Sequence, residues 1–524
     1  MHTKYNIGFD IGSSSVKVAL VDAETGKNVL TLHEPPHEMS IISEQNDWAE
    51  QDPNDWWDYI CVATKRVIKE SKIDVSKIEA IGISYQMHGL VVLDKSGTPL
   101  RNSIIWCDSR AVQIGNTAFE VNGPKKCEEH LLNSPGNFTA SKLKWVKEHE
   151  PELYAKIHKF MLPGDYIAYK LTAQMNTTKN GLSEGILWDY KTNTIAQWLL
   201  DYYGIDSRLV PEIVANFTSQ GTVTKAAASQ TGLPQGIPIT YRAGDQPNNA
   251  LSLNILRNGE VAATGGTSGV IYAVTNNTSS KEATRINNFA HVNYNVRMPS
   301  IGKLLCINGA GIMYRWLRNQ CGDDSYESMN RKAARVDIGS EGLSIIPFGN
   351  GAERMLDNKN IGTQFCNINL NKHSKGHLFR AALEGIAFSF VYGMEILKND
   401  NTVIKVIRAG NDNLFRSEIF SNTLATLIGH KIEIYNTTGA VGAARAAGLL
   451  DGDFDKFGKN ITDNDHVMTY LPLENKTPYL DAYQIWKNEL EILIKNKFGV
   501  YYHQKNTLRV LILLNLKEKN LITL

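Results

Sequence analysis

An α/β architecture in more than one domain is the fold class the sequence predicts, and three observations carry it. Buried-strand patterns alternate along the chain with segments whose apolar residues recur at helical spacing. Two strand–turn–strand segments of one design, 5–22 and 259–274, stand about half the chain apart. The length of 524 residues exceeds what a single domain of about 100–200 residues usually holds.

The first element is the strand 5–10, which leads through the small-residue turn Gly12-Ser13-Ser14-Ser15 into a second strand, 16–22. Residues 55–70 have the apolar spacing of a helix, and 78–84 read as the next strand. A further strand, 239–243, runs into Gly244-Asp245-Gln246. The segment 259–274 then repeats the opening design with Gly265-Gly266-Thr267-Ser268-Gly269 at its tip. Later come a long amphipathic helix over 377–397, a strand over 403–408, a helix over 415–427, a Gly/Ala-rich helix over 439–450 and a last helix over 482–497.

Composition narrows the function. Lys+Arg (55) and Asp+Glu (54) balance, so the chain has no global field to draw nucleic acid or an anionic membrane, and neither partner is expected. The start, Met1-His2-Thr3-Lys4, has no secretory pattern, and no apolar run reaches the roughly 18 residues of a membrane span. A cytoplasmic protein is expected. Six cysteines without a C-x-x-C pair read as reduced packing residues. His33-Glu34-Pro35-Pro36-His37 matches the letters of a zinc helix, but its two prolines forbid that helix.

Several segments are suited to chemistry. Asp10 closes a strand and faces a loop whose Gly12, Ser13 and Ser14 can bring backbone N–H groups to phosphate oxygens, with Asp10 holding Mg²⁺ through water. The same letters also make an ordinary hairpin. No Walker loop and no G-x-G-x-x-G is present, so a phosphate site must be of another type. Gly266 and Thr267 lie in a second loop of that kind. Asp245 stands at a strand end, where α/β sheets present catalytic groups, although an Asp in a turn is more often a cap. Met87-His88 and Trp106-Cys107-Asp108 put polar beside apolar side chains, which suits a polyol; His88 also reads as a satisfied core histidine.

Taken in order, these segments resemble the FGGY carbohydrate kinases: Ile7-Gly8-Phe9-Asp10-Ile11-Gly12, Trp48-Ala49-Glu50-Gln51-Asp52-Pro53, Gln86-Met87-His88-Gly89, Trp106-Cys107-Asp108-Ser109-Arg110, Gly244-Asp245-Gln246, Gly266-Thr267-Ser268-Gly269, Leu383-Glu384-Gly385 and 439–448. The resemblance covers about residues 5–490, and within the family it is to kinases that phosphorylate xylulose. It implies two actin-like (ribonuclease H-like) lobes with an interlobe cleft: 1–246 for sugar and base, 247–497 for ATP, and a tail, 498–524, of no assigned role. It further implies Asp245 as the general base and Asp10 as the Mg²⁺-associated carboxylate. Met87, His88, Asp108, Asp245 and Gln246 would contact the sugar. Gly12, Ser13, Ser14, Lys17, Gly266, Thr267, Gly309, Gly410 and Asn411 would contact ATP. Segment 408–411 carries one glycine where the family commonly has three, and Gly351-Ala352-Glu353-Arg354 shares a Gly-x-Glu-Arg pattern with it.

The expected reaction is therefore ATP-dependent phosphorylation of a ketopentose, D-xylulose to D-xylulose 5-phosphate, by a protein whose assembly is compatible with a homodimer. Ribulose, gluconate, fuculose or glycerol are the alternative acceptors, and an actin-like ATPase without sugar chemistry is the alternative outside the class. A catalytically silent sugar-binding homologue is disfavoured because both carboxylates are present.

Overall fold

The computed structural model describes residues 3–322, 325–450 and 452–519, with side chains described through 498. Two mixed sheets organise it. The first contains β1 (Tyr5–Ile11), β2 (Val16–Asp22), β3 (Asn28–Glu34), β4 (Ile78–Tyr85) and β5 (Ile239–Gly244) in the order β3-β2-β1-β4-β5. The second holds β6 (Glu260–Gly265), β7 (Gly269–Thr275), β8 (Asn287–Ala290), β9 (Ile301–Ile307), β10 (Val406–Gly410), β11 (Ile432–Tyr435) and β12 (His466–Tyr470) in the order β8-β9-β7-β6-β10-β11-β12.

The sheets share one plan. In each, three antiparallel strands (β1-β2-β3 and β6-β7-β9) are extended by two parallel ones (β4-β5 and β10-β11). β1, β4 and β5 are buried almost throughout, as parallel strands covered on both faces must be. A duplication inferred from two hairpins is thus a duplication of whole sheets.

Two helices cross between the halves. Helix α3 (Asp245–Ser252) follows β5, and α7 (Gly439–Ala447) follows β11. Although α7 belongs to the second half of the chain, it seats on the first sheet, and the Gly/Ala-rich sequence is the reason. A Cβ on Gly8 would lie 2.1 Å from the Ala440 carbonyl oxygen, and one on Gly82 would lie 1.9 Å from that of Ala443. Thr240 Oγ1 donates to the Ala447 carbonyl (2.8 Å) and Asn248 Nδ2 to the Gly439 carbonyl (2.9 Å), so polar atoms buried by the crossing are paired. The lobes meet along α3 and α7.

The remaining helices used below are α1 (Pro53–Ser71), α2 (Thr139–His149), α4 (Gly311–Cys321), α5 (Lys375–Asn399), α6 (Glu418–Ile428) and α8 (Thr477–Lys519). Some boundaries differ from the sequence reading. The strand expected over 403–408 is Val406–Gly410, because Val403 is exposed and the chain first closes the turn Thr402 N to Leu397 O. The helix expected from 415 starts at Glu418, where Ser417 accepts from the Phe420 N–H as N-cap. The last helix runs through Lys497 rather than ending there, and residues 520–524 of the tail lie outside those described. Cys107 is exposed, so it is not a packing residue as expected of the six. Among the described residues no helix is long and apolar enough to cross a membrane.

Candidate active site

The carboxyl ends of β1 and β5 place Asp10 and Asp245 on one edge of the first sheet, with β4 between them. Two strand spacings separate their backbones by about 10 Å. Ser84 Oγ donates to Asp10 Oδ1 (2.8 Å), while Lys17, directly across the hairpin, brings Nζ to 3.8 Å from Oδ2. Gly439 of α7 abuts this carboxylate, since a Cβ there would sit 2.8 Å from Oδ2. A side chain there would push the Asp10 carboxylate aside.

Asp245 occupies the first turn of α3. Burial, with the Asp10 charge as the second cause, pushes its carboxyl from 3.8 up to about 7, against the pull of backbone N–H groups at the helix start. Gln246 follows it, half-buried, on the same turn. Before Asp245 in the chain, Gly244 packs so closely that a Cβ would meet Glu184 Oε2 at 2.3 Å and Met87 Cγ at 2.5 Å. Glu184 is fully enclosed, and burial with nearby Asp245 holds its carboxyl well above the usual range.

His88 sits beside this cluster with φ +63°, an uncommon backbone for a side chain of its size. Its Nδ1 lies 2.9 Å from the Glu184 carbonyl. A carbonyl only accepts, so in the neutral ring Nδ1 carries the proton and Nε2 is left as an acceptor. Neutrality is secured because burial and the Lys142 charge lower its pKa to about 3. The ring packs edge-on to Phe138 (4.7 Å) and against Phe289 of the second sheet (5.3 Å), placing His88 at the junction of the lobes.

Lys142 of α2 was missed by the sequence reading. It is fully buried, and its Nζ donates to the carbonyls of His88 (3.0 Å) and Ile105 (2.9 Å), tying together the two loops expected to contact sugar. Asp108 differs from expectation. Its carboxylate is sealed from solvent, accepts the Ala49 N–H (2.6 Å) and pairs with Arg110 (2.7 Å), which stacks 3.8 Å from the Trp48 ring. Asp108 therefore shapes the loop from beneath and has no oxygen free for a sugar hydroxyl. Trp106, in contrast, is half exposed and reaches Ser13 Oγ (3.4 Å).

The two phosphate-type loops also form. Gly12 N–H closes its turn on the Ser15 carbonyl (3.0 Å), Gln51 Nε2 holds the Ser13 carbonyl (2.8 Å), and Ser14 is exposed. In the second lobe the first amides of α4 close on the other loop, Gly311 N to Gly266 O (3.1 Å) and Ile312 N to Thr267 O (3.0 Å). Beside it opens a cavity of about 430 Å³, lined by Gly265, Gly266, Thr267, Tyr314, Tyr326 and Asn413 among others. That volume suits a nucleotide-sized ligand. Tyr314 and Tyr326 lie nearly parallel at 5.7 Å.

Three residues expected to contact the nucleotide are not in the lining of this cavity. The Gly309 N–H is donated to the buried Glu353 carboxylate (3.2 Å) and a Cβ there would lie 2.5 Å from the Pro347 carbonyl oxygen, whereas Gly311 lines the cavity. Gly410 and Asn411 end β10, where the Asn411 N–H goes to the Tyr435 carbonyl (2.8 Å), and the lining comes from Asn413 and Leu414.

Residues 5–252 match the N-terminal domain, and 261–450 the C-terminal domain, of the FGGY family of carbohydrate kinases. The chain belongs to this family. It is a carbohydrate kinase, built on the actin-like two-lobe plan that its paired sheets display. It is similar to the xylulose kinase of Bacillus subtilis, 27% identical over 93% of this chain and 96% of that one. It is likewise 27% identical to the L-xylulose/3-keto-L-gulonate kinase of Escherichia coli over 93% and 96%. The crystal structure of a ligand-bound xylulose kinase from Lactobacillus acidophilus shares the fold, with a TM-score of 0.84 at 23% identity over 96% of this chain and 99% of that one. Kinases of the FGGY family use ATP.

Proposed function

We propose that this FGGY kinase phosphorylates D-xylulose to D-xylulose 5-phosphate, with Asp245 as the base. The observation that carries the base assignment is a carboxyl at the carboxyl end of β5, near Asp10, raised to about 7, where a general base works best near neutral pH. Support for the sugar comes from its relatives named for xylulose and from the neutral His88 beside Met87, which offers a bare acceptor nitrogen to a hydroxyl.

The chemistry follows from positions. The sugar hydroxyl gives its proton to Asp245 as its oxygen bonds to the γ-phosphorus; the bond from that phosphorus to the bridging oxygen breaks, and ADP keeps the electron pair. His88 and Met87 orient the acceptor, Gly266 and Thr267 cradle phosphates with backbone N–H groups, and Lys17 offsets charge beside Asp10. Mg²⁺ would be held by Asp10, whose second oxygen has only the distant Lys17 near it, and would take its other ligands from ATP phosphates and water, neutralising charge there. Closure about the crossing α3 and α7 would exclude water, which competes for the phosphoryl group.

The test is ADP release with Mg²⁺ and ATP across D-xylulose, L-xylulose, D-ribulose, L-fuculose, D-gluconate and glycerol. Turnover highest with D-xylulose is expected; a clear preference for another acceptor would keep the kinase and sink this substrate assignment. ATP hydrolysis indifferent to every sugar would favour an ATPase of the same fold.

Two further outcomes belong to this reading. Only ionised Asp245 accepts a proton, so kcat/KM should fall about tenfold per pH unit below about 7. A profile flat from pH 5.5 to 8 would remove Asp245 from the base role. His88 adds no step in that range because it stays neutral. His88→Ala should raise the sugar KM by roughly tenfold, the value of one lost hydrogen bond, with the ATP KM within twofold. Equal loss for both substrates would mark His88 as structural.

A further inference from the structure

We propose that Arg354 is a further functional residue of this kinase, a guanidinium of the second lobe that meets the phosphoryl group on the sugar side of the cleft. The proposal rests on the kinase reading above and adds a residue to its machinery.

The first observation is a buried guanidinium nitrogen with nothing to donate to, on a side chain that still keeps some exposure. Arg354 Nε is sealed from solvent and has no hydrogen-bond partner among the described residues. Its own neighbour, Glu353, is spent elsewhere: that carboxylate accepts the N–H groups of Asn308 (2.9 and 3.0 Å) and Gly309 (3.2 Å). Burial works against the Arg354 charge, the Cys306 thiol works for it, and no carboxylate forms an ion pair with it among the described residues. Guanidiniums are seldom enclosed without an anion, because the lost hydration goes unrepaid. An arrangement of this kind is stable when an oxyanion arrives to complete it.

The second observation is location. Arg354 acts electrostatically on His88 from the first lobe and on Cys306 at the end of β9. Cys306 in turn feels Asp245. The guanidinium thus comes from the second lobe to within electrostatic reach of His88, whose ring packs on Phe289 of that lobe. The third is rigidity. Glu353 docks its loop on the turn after β9, Asn308 Nδ2 donates to the Ala352 carbonyl (2.6 Å), and Met355 and Leu356 are buried in the second core. A guanidinium held this way needs no reorganisation when charge arrives.

An oxyanion could come from two sources, the phosphoryl group in flight or a carboxylate on an acidic sugar. The phosphoryl group is favoured because Glu353 anchors the same loop to Gly309, two residues before Gly311, whose N–H closes the phosphate-type loop at Gly266. As the γ-phosphorus leaves the bridging oxygen of ADP and bonds to the sugar oxygen, charge on its three remaining oxygens is what Arg354 would pair with.

The experiment uses the full chain and Arg354→Gln, with Arg354→Lys as the conservative partner. Arg354→Gln is expected to lower kcat on D-xylulose by 10²–10³-fold, roughly the loss for one preorganised donor, with KM for ATP and sugar within threefold and partial recovery in Arg354→Lys. Its melting temperature should be equal or higher, since the buried Nε makes no hydrogen bond that the glutamine would lose; a fall would assign Arg354 to the scaffold and overturn the proposal. A kcat within threefold of wild type would overturn it too. A loss confined to binding of D-gluconate would overturn it in favour of a substrate carboxylate. A measurement independent of turnover is the thermal shift by millimolar inorganic phosphate in the presence of ADP, which should be smaller in Arg354→Gln. An equal shift would count against the proposal even if wild type proved inactive on every sugar, a result that would sink the parent reading alone.

Discussion

Asp245→Asn should lower kcat by about 10³-fold or more while ADP binding stays within twofold of wild type. Positioned general bases contribute about 10²–10⁴-fold, and the phosphate loops on the other lobe do not involve this side chain. The same variant should be more stable than wild type at pH 8. The folded-state carboxyl titrates near 7 instead of 3.8, so the contribution of the protonated group is fully present below about pH 4 and is lost as pH rises through 7. Three units correspond to about 4 kcal/mol at full burial; with Asp245 only half-buried, about 2 kcal/mol is the better expectation. Thermal melts of both proteins at pH 4.5 and 8 check it: the curves should nearly coincide at the lower pH and separate at the higher. Near-wild-type turnover would remove the base assignment, and an Asn variant no more stable at pH 8 would mean the carboxyl is not strained by its surroundings.

Gly82→Val should cost more than about 3 kcal/mol and yield little soluble protein. The new Cβ would sit 1.9 Å from the Ala443 carbonyl oxygen, a backbone atom inside α7 that cannot rotate away. Gly8, beside it on β1, meets the same helix at 2.1 Å, so α7 has no room to slide along the sheet. Displacing α7 also withdraws Gly439 from Asp10, so any folded remainder should lose activity as well. Urea unfolding measures it, and a midpoint equal to wild type would show that the seat of α7 is looser than these distances state.

Legibility followed the range of the interactions. Asp10, the Gly12–Ser14 turn, the Gly266-Thr267 loop and the Asp245 turn are local devices: a strand end, small residues and an acidic group within a few positions declare themselves in one dimension. The residues missed have ordinary surroundings in sequence. Lys142 lies in a helix with other lysines, where a solvated charge is the natural reading, and its burial comes from loops 54 and 37 positions away. Asp108 is expected at the sugar from the resemblance of its motif, yet Arg110 and the Ala49 amide use its oxygens. Glu353-Arg354 was visible only as letters, since nothing local says that one partner turns to Asn308 and leaves the other unpaired.

The sequence by itself determined the class, the two hairpins and their loops, and the pair of acidic residues, because strand periodicity and turn chemistry are short-range properties. It also determined that the 439–447 segment must be small-residued. Only the tertiary structure decided which lobe that helix packs on and which carboxyl has its titration moved to neutrality. It likewise decided which cations are enclosed: burial and through-space charge depend on segments hundreds of residues apart, meeting where α3 and α7 cross.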